Sequence, residues 1–220
     1  MAAQAKIEAT PLGAGQEIGR SCVLVTLGGY RVLLDCGIHT AFTDNRCFPR
    51  FELLLDGDAP GGAQDGCAGG GVGGTSSAGS LPPGGTAEGG PSKYAHCVDA
   101  VFVTHYHLDH IGALPHLVSV LGYRGPIYMT SATRAIAQTM LLDYRHVMVE
   151  RKHSKAIMYT EQDVLFSLSN VRTVALHETL RLGEGQDLEV TPYYAGHVLG
   201  AVMLHLQVFL PDRMKESSIK

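Results

Sequence analysis

Hydrophobic and polar positions change rhythm twice along this chain. In residues 6–10 they alternate (Lys6-Ile7-Glu8-Ala9-Thr10), the period of a half-buried strand. The glycine-punctuated stretch Pro11-Leu12-Gly13-Ala14-Gly15-Gln16-Glu17-Ile18-Gly19-Arg20 reads as a loop. Two apolar runs, 22–27 and 31–35, then flank Gly28-Gly29, a hairpin signal. From Val98 the rhythm becomes strand, helix, strand, helix. Residues 100–104 (Ala-Val-Phe-Val-Thr) read as a short buried strand, and 110–121 as a helix with Leu114, Leu117, Val118 and Leu121 on one side. Gly125-Pro126 breaks the chain before a strand at 127–130. Ser131 or Thr133 is placed to cap a long helix reaching about residue 150, with Ile136, Met140 and Val147 as its core stripe. Thr160 and Asp163 predict a capping box at the start of a short helix. Strands return at 171–176, 188–194 and 201–209. Strands first and alternating units afterwards predict an α/β fold, a mixed sheet with helices on its faces.

Residues 57–92 have no rhythm at all. They hold fourteen of the chain's 27 glycines, with Ala, Ser, Thr and Pro between them. Such a segment buries too little apolar surface to offset its ordering entropy, so the expectation is a disordered surface insertion. Around it, a composition 45% hydrophobic supports one domain with a real core. The net charge of -4 excludes a generally basic coat for nucleic acid, though not a local groove. Cys22, Cys36, Cys47, Cys67 and Cys97 are odd in number and form no C-x-x-C pair, as expected of reduced thiols. No secretory h-region opens the chain and no run approaches a membrane span, so the expectation is a soluble nuclear or cytosolic protein with no membrane partner.

The candidate chemistry sits where the strand 100–104 ends. His105-x-His107-x-Asp109-His110 puts three imidazoles and a carboxylate within six residues. Crowded together they repel when charged and are costly when buried unpaired, and a bound cation removes both problems. His105 and His107, two apart on extended backbone, point the same way, while Asp109 and His110 lie on the next turn and can face a second ion. Two neighbouring cations suit hydrolysis. Gly196-His197-Val198-Leu199-Gly200, after the strand 188–194, supplies a natural third nitrogen for the His105/His107 set, since open catalytic zinc sites use three protein ligands. Asp35, at the end of an apolar strand, is placed to hold a ligand histidine by its other ring nitrogen or to steady the loop. His39, His96, His116, His146, His153, His177 and His205 follow no spacing pattern and are assigned no ligand role. Gly13-x-Gly15-x-x-x-Gly19 lacks the strand–loop–helix setting and spacing of a nucleotide loop.

Three of these segments, His105-x-His107-x-Asp109-His110, Leu34-Asp35-Cys36-Gly37 and Gly196-His197-Val198-Leu199-Gly200, resemble motifs of the metallo-β-lactamase fold. The segment Pro11–Cys22 further resembles the β-CASP RNA endonucleases that cut pre-mRNA and small nuclear RNA 3′ ends. Phe48-Pro49-x-Phe51, Asp143-Tyr144-Arg145 and Tyr193-Tyr194-Ala195 are nearer in wording to the small-nuclear-RNA branch than to the pre-mRNA branch. The resemblance spans 6–208 apart from the insertion. It implies an αββα sandwich over 6–209 and two Zn2+ ions. His105, His107 and His197 would bind one; Asp109 and His110 would bind the other and take part in catalysis. It also implies RNA as substrate, a sister β-CASP subunit and further subunits of a nuclear 3′-end processing complex as partners. The stretch 210–220 departs from the family's next motif, so Asp212 is not carried over as a ligand, and the β-CASP domain is expected to be absent from this chain, an N-terminal portion. Two other classes stay open: a small-molecule hydrolase of thioesterase or lactamase type, against which the Pro11–Cys22 wording argues, and a non-catalytic scaffold subunit.

Overall fold

Four parallel strands end on one edge of a sheet, and that edge is where the chemistry gathers. The structure, a computed structural model, describes residues 6–55, 92–151 and 159–209. Apart from Ser92, the insertion expected at 57–92 lies outside them, as do the tail 210–220 and Cys67.

The large sheet has six strands in chain order: β1 (Ile7–Gly13), β2 (Cys22–Leu27), β3 (Tyr30–Leu34), β4 (Ala100–Phe102), β5 (Ile127–Met129) and β6 (Val171–Thr173). The first three pair antiparallel, and β3 through β6 run parallel. The expected hairpin is present, with Leu27 opposite Tyr30 around Gly28-Gly29. A second sheet, β7 (Leu180–Leu182), β8 (Leu188–Tyr194) and β9 (Val202–Val208), is antiparallel. β7 escaped the sequence reading because Leu180-Arg181-Leu182 is too short to show a period.

The burial pattern follows from this layering. Along β4 the side chains alternate between two cores: Val101 and Val103 enter the helix-side core with Leu33, Ile127, Met129 and Leu141, while Ala100 and Phe102 face the second sheet. Both faces of β4 are covered, so the run is apolar at every position, as central parallel strands require. Between the sheets, Leu27, Val32, Phe102 and Tyr128 meet Leu188 and Val190, with the Phe102 and Tyr128 rings stacked at 4.9 Å. Fully burying residues of this size stabilises by roughly 1.5–3 kcal/mol each. Helices α2 (Ser131–His146) and α3 (Glu161–Ser169) cover the other face of the large sheet. Three layers of an αββα sandwich are thus formed. The outer face of the second sheet, with Tyr193 and Met203 paired across it and both exposed, carries no helix among the described residues.

Three helical expectations need correction. The helix expected at 110–121 is instead one turn, α1 (Leu108–Ile111), followed by a π-helical turn (His116–Val120). Pro115 has no N–H to continue the α pattern, and Leu121 N bonds back to His116 O, five residues away. The cap of α2 is Thr130, whose hydroxyl accepts from Thr133 N, rather than Ser131 or Thr133. The buried stripe of α2 is Thr133, Ala137, Leu141 and Tyr144, continued by Met148; Ile136, Met140 and Val147 sit at its half-buried margin. Here α2 ends at His146 and a π-helical turn (Val147–Arg151) follows. The capping box of α3 is formed by Thr160 and Asp163, as the spacing predicts.

Candidate metal centre

β3, β4 and β5 deliver their C-terminal ends to the same edge, the usual position for a site in an open α/β sheet. Asp35 follows β3, Thr104 to His110 follow β4, Thr130 follows β5, and His197 arrives from the end of β8 in the second sheet.

The geometry brings three nitrogens together. His105 Nε2 lies 3.1 Å from His107 Nδ1, and His197 Nε2 lies 3.2 Å from the same His107 Nδ1. His105, His107 and His197 are the group among the described residues whose ligand atoms, all within 4.8 Å of one another, could hold a metal ion. At a Zn–N bond of about 2.0–2.1 Å, a tetrahedral site needs its nitrogens about 3.3 Å apart. The two spacings to His107 Nδ1 are within a few tenths of an ångström of that edge, and the third pair lies within 4.8 Å. Three imidazole nitrogens facing one another cannot all satisfy their lone pairs with a shared hydrogen, so the donor set suits a cation. His105 is moreover kept neutral: burial, reinforced by the charges of His110, His107 and His197, lowers its pKa to about 4. A neutral imidazole is what a metal requires.

Behind the trio, a hydrogen-bond chain fixes the tautomers. Asp35 Oδ1 accepts from Thr104 N at 2.7 Å, and Asp35 Oδ2 accepts from Thr104 Oγ1 at 3.0 Å. With its hydroxyl hydrogen spent on Asp35, Thr104 Oγ1 is the acceptor for His105 Nδ1 at 2.9 Å. His105 therefore carries its proton on Nδ1 and turns a bare Nε2 toward His107. Asp35 Oδ2 also meets His110 Nδ1 at 2.8 Å, which leaves His110 Nε2 directed toward Asp109, 3.6 Å away. Burial alone would lower the pKa of His110, but the Asp35 hydrogen bond and the charges of Asp35 and Asp109 outweigh it and raise the value. Asp35 reaches these partners from a left-handed backbone, φ +61°, a conformation unusual for any residue but glycine, asparagine and aspartate. Strain of this kind is characteristic of functional sites.

Asp109 and His110 occupy α1, and the His110 ring lies 4.1 Å from that of His105, so this second donor pair adjoins the trio. The α1 backbone is pressed against the loop after β3, where Cys36 N bonds His110 O and Ile38 N bonds Leu108 O, and against the residue before β2, where Ser21 N bonds Asp109 O. A Cβ at Gly37 would overlap Asp109 O, so only glycine permits this approach.

Histidines given no role at the sequence level lie outside the cluster. His39 packs on Phe42, His116 stacks on Phe48 at 4.0 Å, and His177 sits edge-on to Tyr193. His153 is outside the described residues. Arg31 is buried and donates to Leu54 O, while Arg20 pairs with Glu17. Cys22, Cys36, Cys47 and Cys97 are free, buried thiols, and burial pushes Cys47 up to about 12 and Cys97 up to about 11. No helix of the described residues is long and apolar enough to cross a membrane. The sequence reading missed Thr104, whose only sign was a hydroxyl residue directly before the first histidine.

Residues 89–210 match a family model described as a metallo-beta-lactamase superfamily domain. The chain is 37% identical over 202 residues to Integrator complex subunit 11 of Danio rerio, covering 92% of this chain and 28% of that protein. It is 38% identical over 203 residues to Integrator complex subunit 11 of Gallus gallus, with the same coverage of 92% and 28%. Cleavage and polyadenylation specificity factor subunit 3-II of Arabidopsis thaliana is 35% identical over 203 residues, 92% of this chain and 27% of that one. The chain spans about a quarter of the length of these curated relatives. Strand exits bearing the histidines, the two facing sheets and this match agree: the chain belongs to the metallo-beta-lactamase superfamily.

Proposed function

We propose that this chain carries the zinc-binding unit of an RNA endonuclease subunit that acts in RNA 3′-end processing, on small nuclear RNA or pre-mRNA, in the nucleus. The observation that carries the reading is the convergence of His105 Nε2, His107 Nδ1 and His197 Nε2 from two distant stretches of chain. The names of relatives at 35–38% identity support the substrate and the setting. In the longer form the partners are RNA, a sister β-CASP-family subunit and other subunits of the processing complex.

In this reading His105, His107 and His197 hold one zinc, and Asp109 with His110 hold a second. When bound, zinc lowers the pKa of a water and neutralises charge building at a phosphate. The chain's own residues set the stage. Asp35 orients His105 through Thr104 and orients His110 directly, and Asp109 stands beside His110 as the carboxylate of the second donor pair. The trio offers three nitrogens and the neighbouring pair only two donors, so the first ion binds tightly and the second weakly. The 220-residue chain alone then cuts RNA slowly or not at all.

Elemental analysis after equilibration with zinc, alongside cleavage of an end-labelled RNA, tests the proposal. Bound zinc nearer one ion than two per chain is expected, as a single three-nitrogen site gives, and His105→Ala should abolish it. Failure to bind zinc overturns the reading, and robust zinc-dependent cutting overturns the claim of weak activity.

A further inference from the structure

His197 is exposed and packs into no core, so its position depends on the loop that carries it. That loop closes on itself, Ala195 N to Ala201 O at 3.1 Å and Ala201 N to Val198 O at 3.0 Å, and Val202 N bonds Thr104 O at 3.0 Å. These bonds fix the loop's two ends, and the Gly200 carbonyl, on the peptide it shares with Ala201 N, carries a further anchor to another element. Two buried hydroxyls supply it. Thr130 Oγ1 donates to Gly200 O at 2.8 Å, and Thr133 Oγ1 approaches the same carbonyl at 3.2 Å. Thr133 is fully buried and Thr130 nearly so, which leaves little competing water. Gly200 itself adopts φ +81°, and a Cβ there would meet Thr130 Oγ1 at 2.7 Å and Ala132 Cβ at 2.8 Å. The carbonyl is therefore seated closely against the first turn of α2.

We propose that Thr130 and Thr133 are positioning residues for His197: by gripping the Gly200 carbonyl they hold the third imidazole against His107, 3.2 Å from its Nδ1, and beside His105. The inference rests on the metal-site reading above. It also assigns the first turn of α2 a task beyond capping. Thr130 Oγ1 serves twice, accepting from Thr133 N as the cap and donating to Gly200 O across 70 residues of sequence. Removing the hydroxyls frees the loop to move His197 outward, while His105 and His107 stay fixed by β4 and Asp35.

The test uses the full chain. Thr130→Val/Thr133→Val removes both donors at nearly constant volume, and Thr130→Ser/Thr133→Ser keeps them. Thr133→Val alone leaves the capping acceptor in place and guards against a variant that fails to fold. Zn2+ affinity is measured by competition with a chromophoric chelator, the Co2+ visible spectrum reports coordination, and urea unfolding of the metal-free protein reports stability. Proton nuclear Overhauser contacts between the His197 and His107 rings report position without metal. Loss of an outer hydrogen bond that orients a ligand weakens metal affinity roughly ten- to hundred-fold, and that is the loss expected for the double valine variant, with a smaller one for Thr133→Val. The serine variant should match the parent, and the ring contacts should vanish in the double valine variant only. As a control, Leu141→Ala, which weakens α2 packing without touching the hydroxyls, should lower stability and leave metal affinity unchanged. A double valine variant with parental affinity, cobalt spectrum and ring contacts would overturn the inference. A parent chain that binds no zinc, yet loses the ring contacts on substitution, would defeat the metal reading and leave the positioning role standing.

Discussion

The two stretches that build the candidate site are held in place by different physics. His105, His107, Asp109 and His110 leave a strand buried on both faces, and their loop is fastened from behind by Asp35. His197 leaves a strand whose last two residues are exposed, and it is fastened by hydrogen bonds to one loop carbonyl and to Thr104 O. One half of the site is thus part of the core, and damage to it is damage to the fold. The other half is a surface loop with an anchor, and it can fail without the fold noticing. A three-nitrogen site made this way is only as well formed as its weaker half.

Breaking the stronger half should give the largest effect. Asp35→Ala strands Thr104 N and Oγ1 and the buried side of His110 without an acceptor. A loss of stability on the order of 3 kcal/mol is expected in urea unfolding, together with loss of zinc binding. Asp35→Asn, which tolerates the left-handed backbone, should recover part of the stability.

The foundation of that half is also sensitive to acid. His116, on the turn after α1, is stacked on Phe48 and half-buried, with its Nδ1 shut off from water, and this burial lowers its pKa from 6.5 to about 4. Between those values the unfolded chain takes up a proton that the folded chain refuses. Stability therefore falls as pH drops from about 6.5 toward 4, by on the order of 2 kcal/mol from this residue. Thermal unfolding of metal-free protein across that window should show the decline, and His116→Phe should remove this residue's share of it while the like share of His105 remains.

On the weaker half the stability effects shrink. Gly200→Ala forces a side chain into a positive-φ position against Thr130 and should cost about 1–3 kcal/mol, read by the same urea titration. His197→Ala should change metal-free stability by no more than about 0.5 kcal/mol, because the side chain is exposed. Zinc binding should nevertheless fall as far as it does for His105→Ala. A large stability loss for His197→Ala would erase the contrast between the halves.

Much of the molecule was legible in residue order because it depends on short-range rules. The hairpin around Gly28-Gly29, the apolar run of β4, the boundaries of β8 and the Thr160–Asp163 capping box are each set by a few adjacent side chains. The cluster His105 to His110 was legible for the same reason, since its donors are neighbours. The helix after it was misread, because the apolar spacing of Leu114, Leu117 and Val118 fits an α-helix and a π-helical turn alike, and Pro115 decided between them. The α2 stripe was misread by one position around the helix. Thr133 is small and hydroxylated, so it did not count as core until its partner at Gly200 was seen.

By itself the order of residues determined which donors exist, on which strand exits they stand, and that Asp35 would be at hand. Only the tertiary structure decided that they meet. It decided that His107 turns Nδ1 inward while His105 and His197 turn Nε2, that Thr104 transmits the tautomer choice from Asp35, and that the first turn of α2 holds the His197 loop. Spacing along a strand is a local property. The angle of a ring, and the carbonyl a hydroxyl finds across 70 residues, follow from how two sheets and a helix pack together.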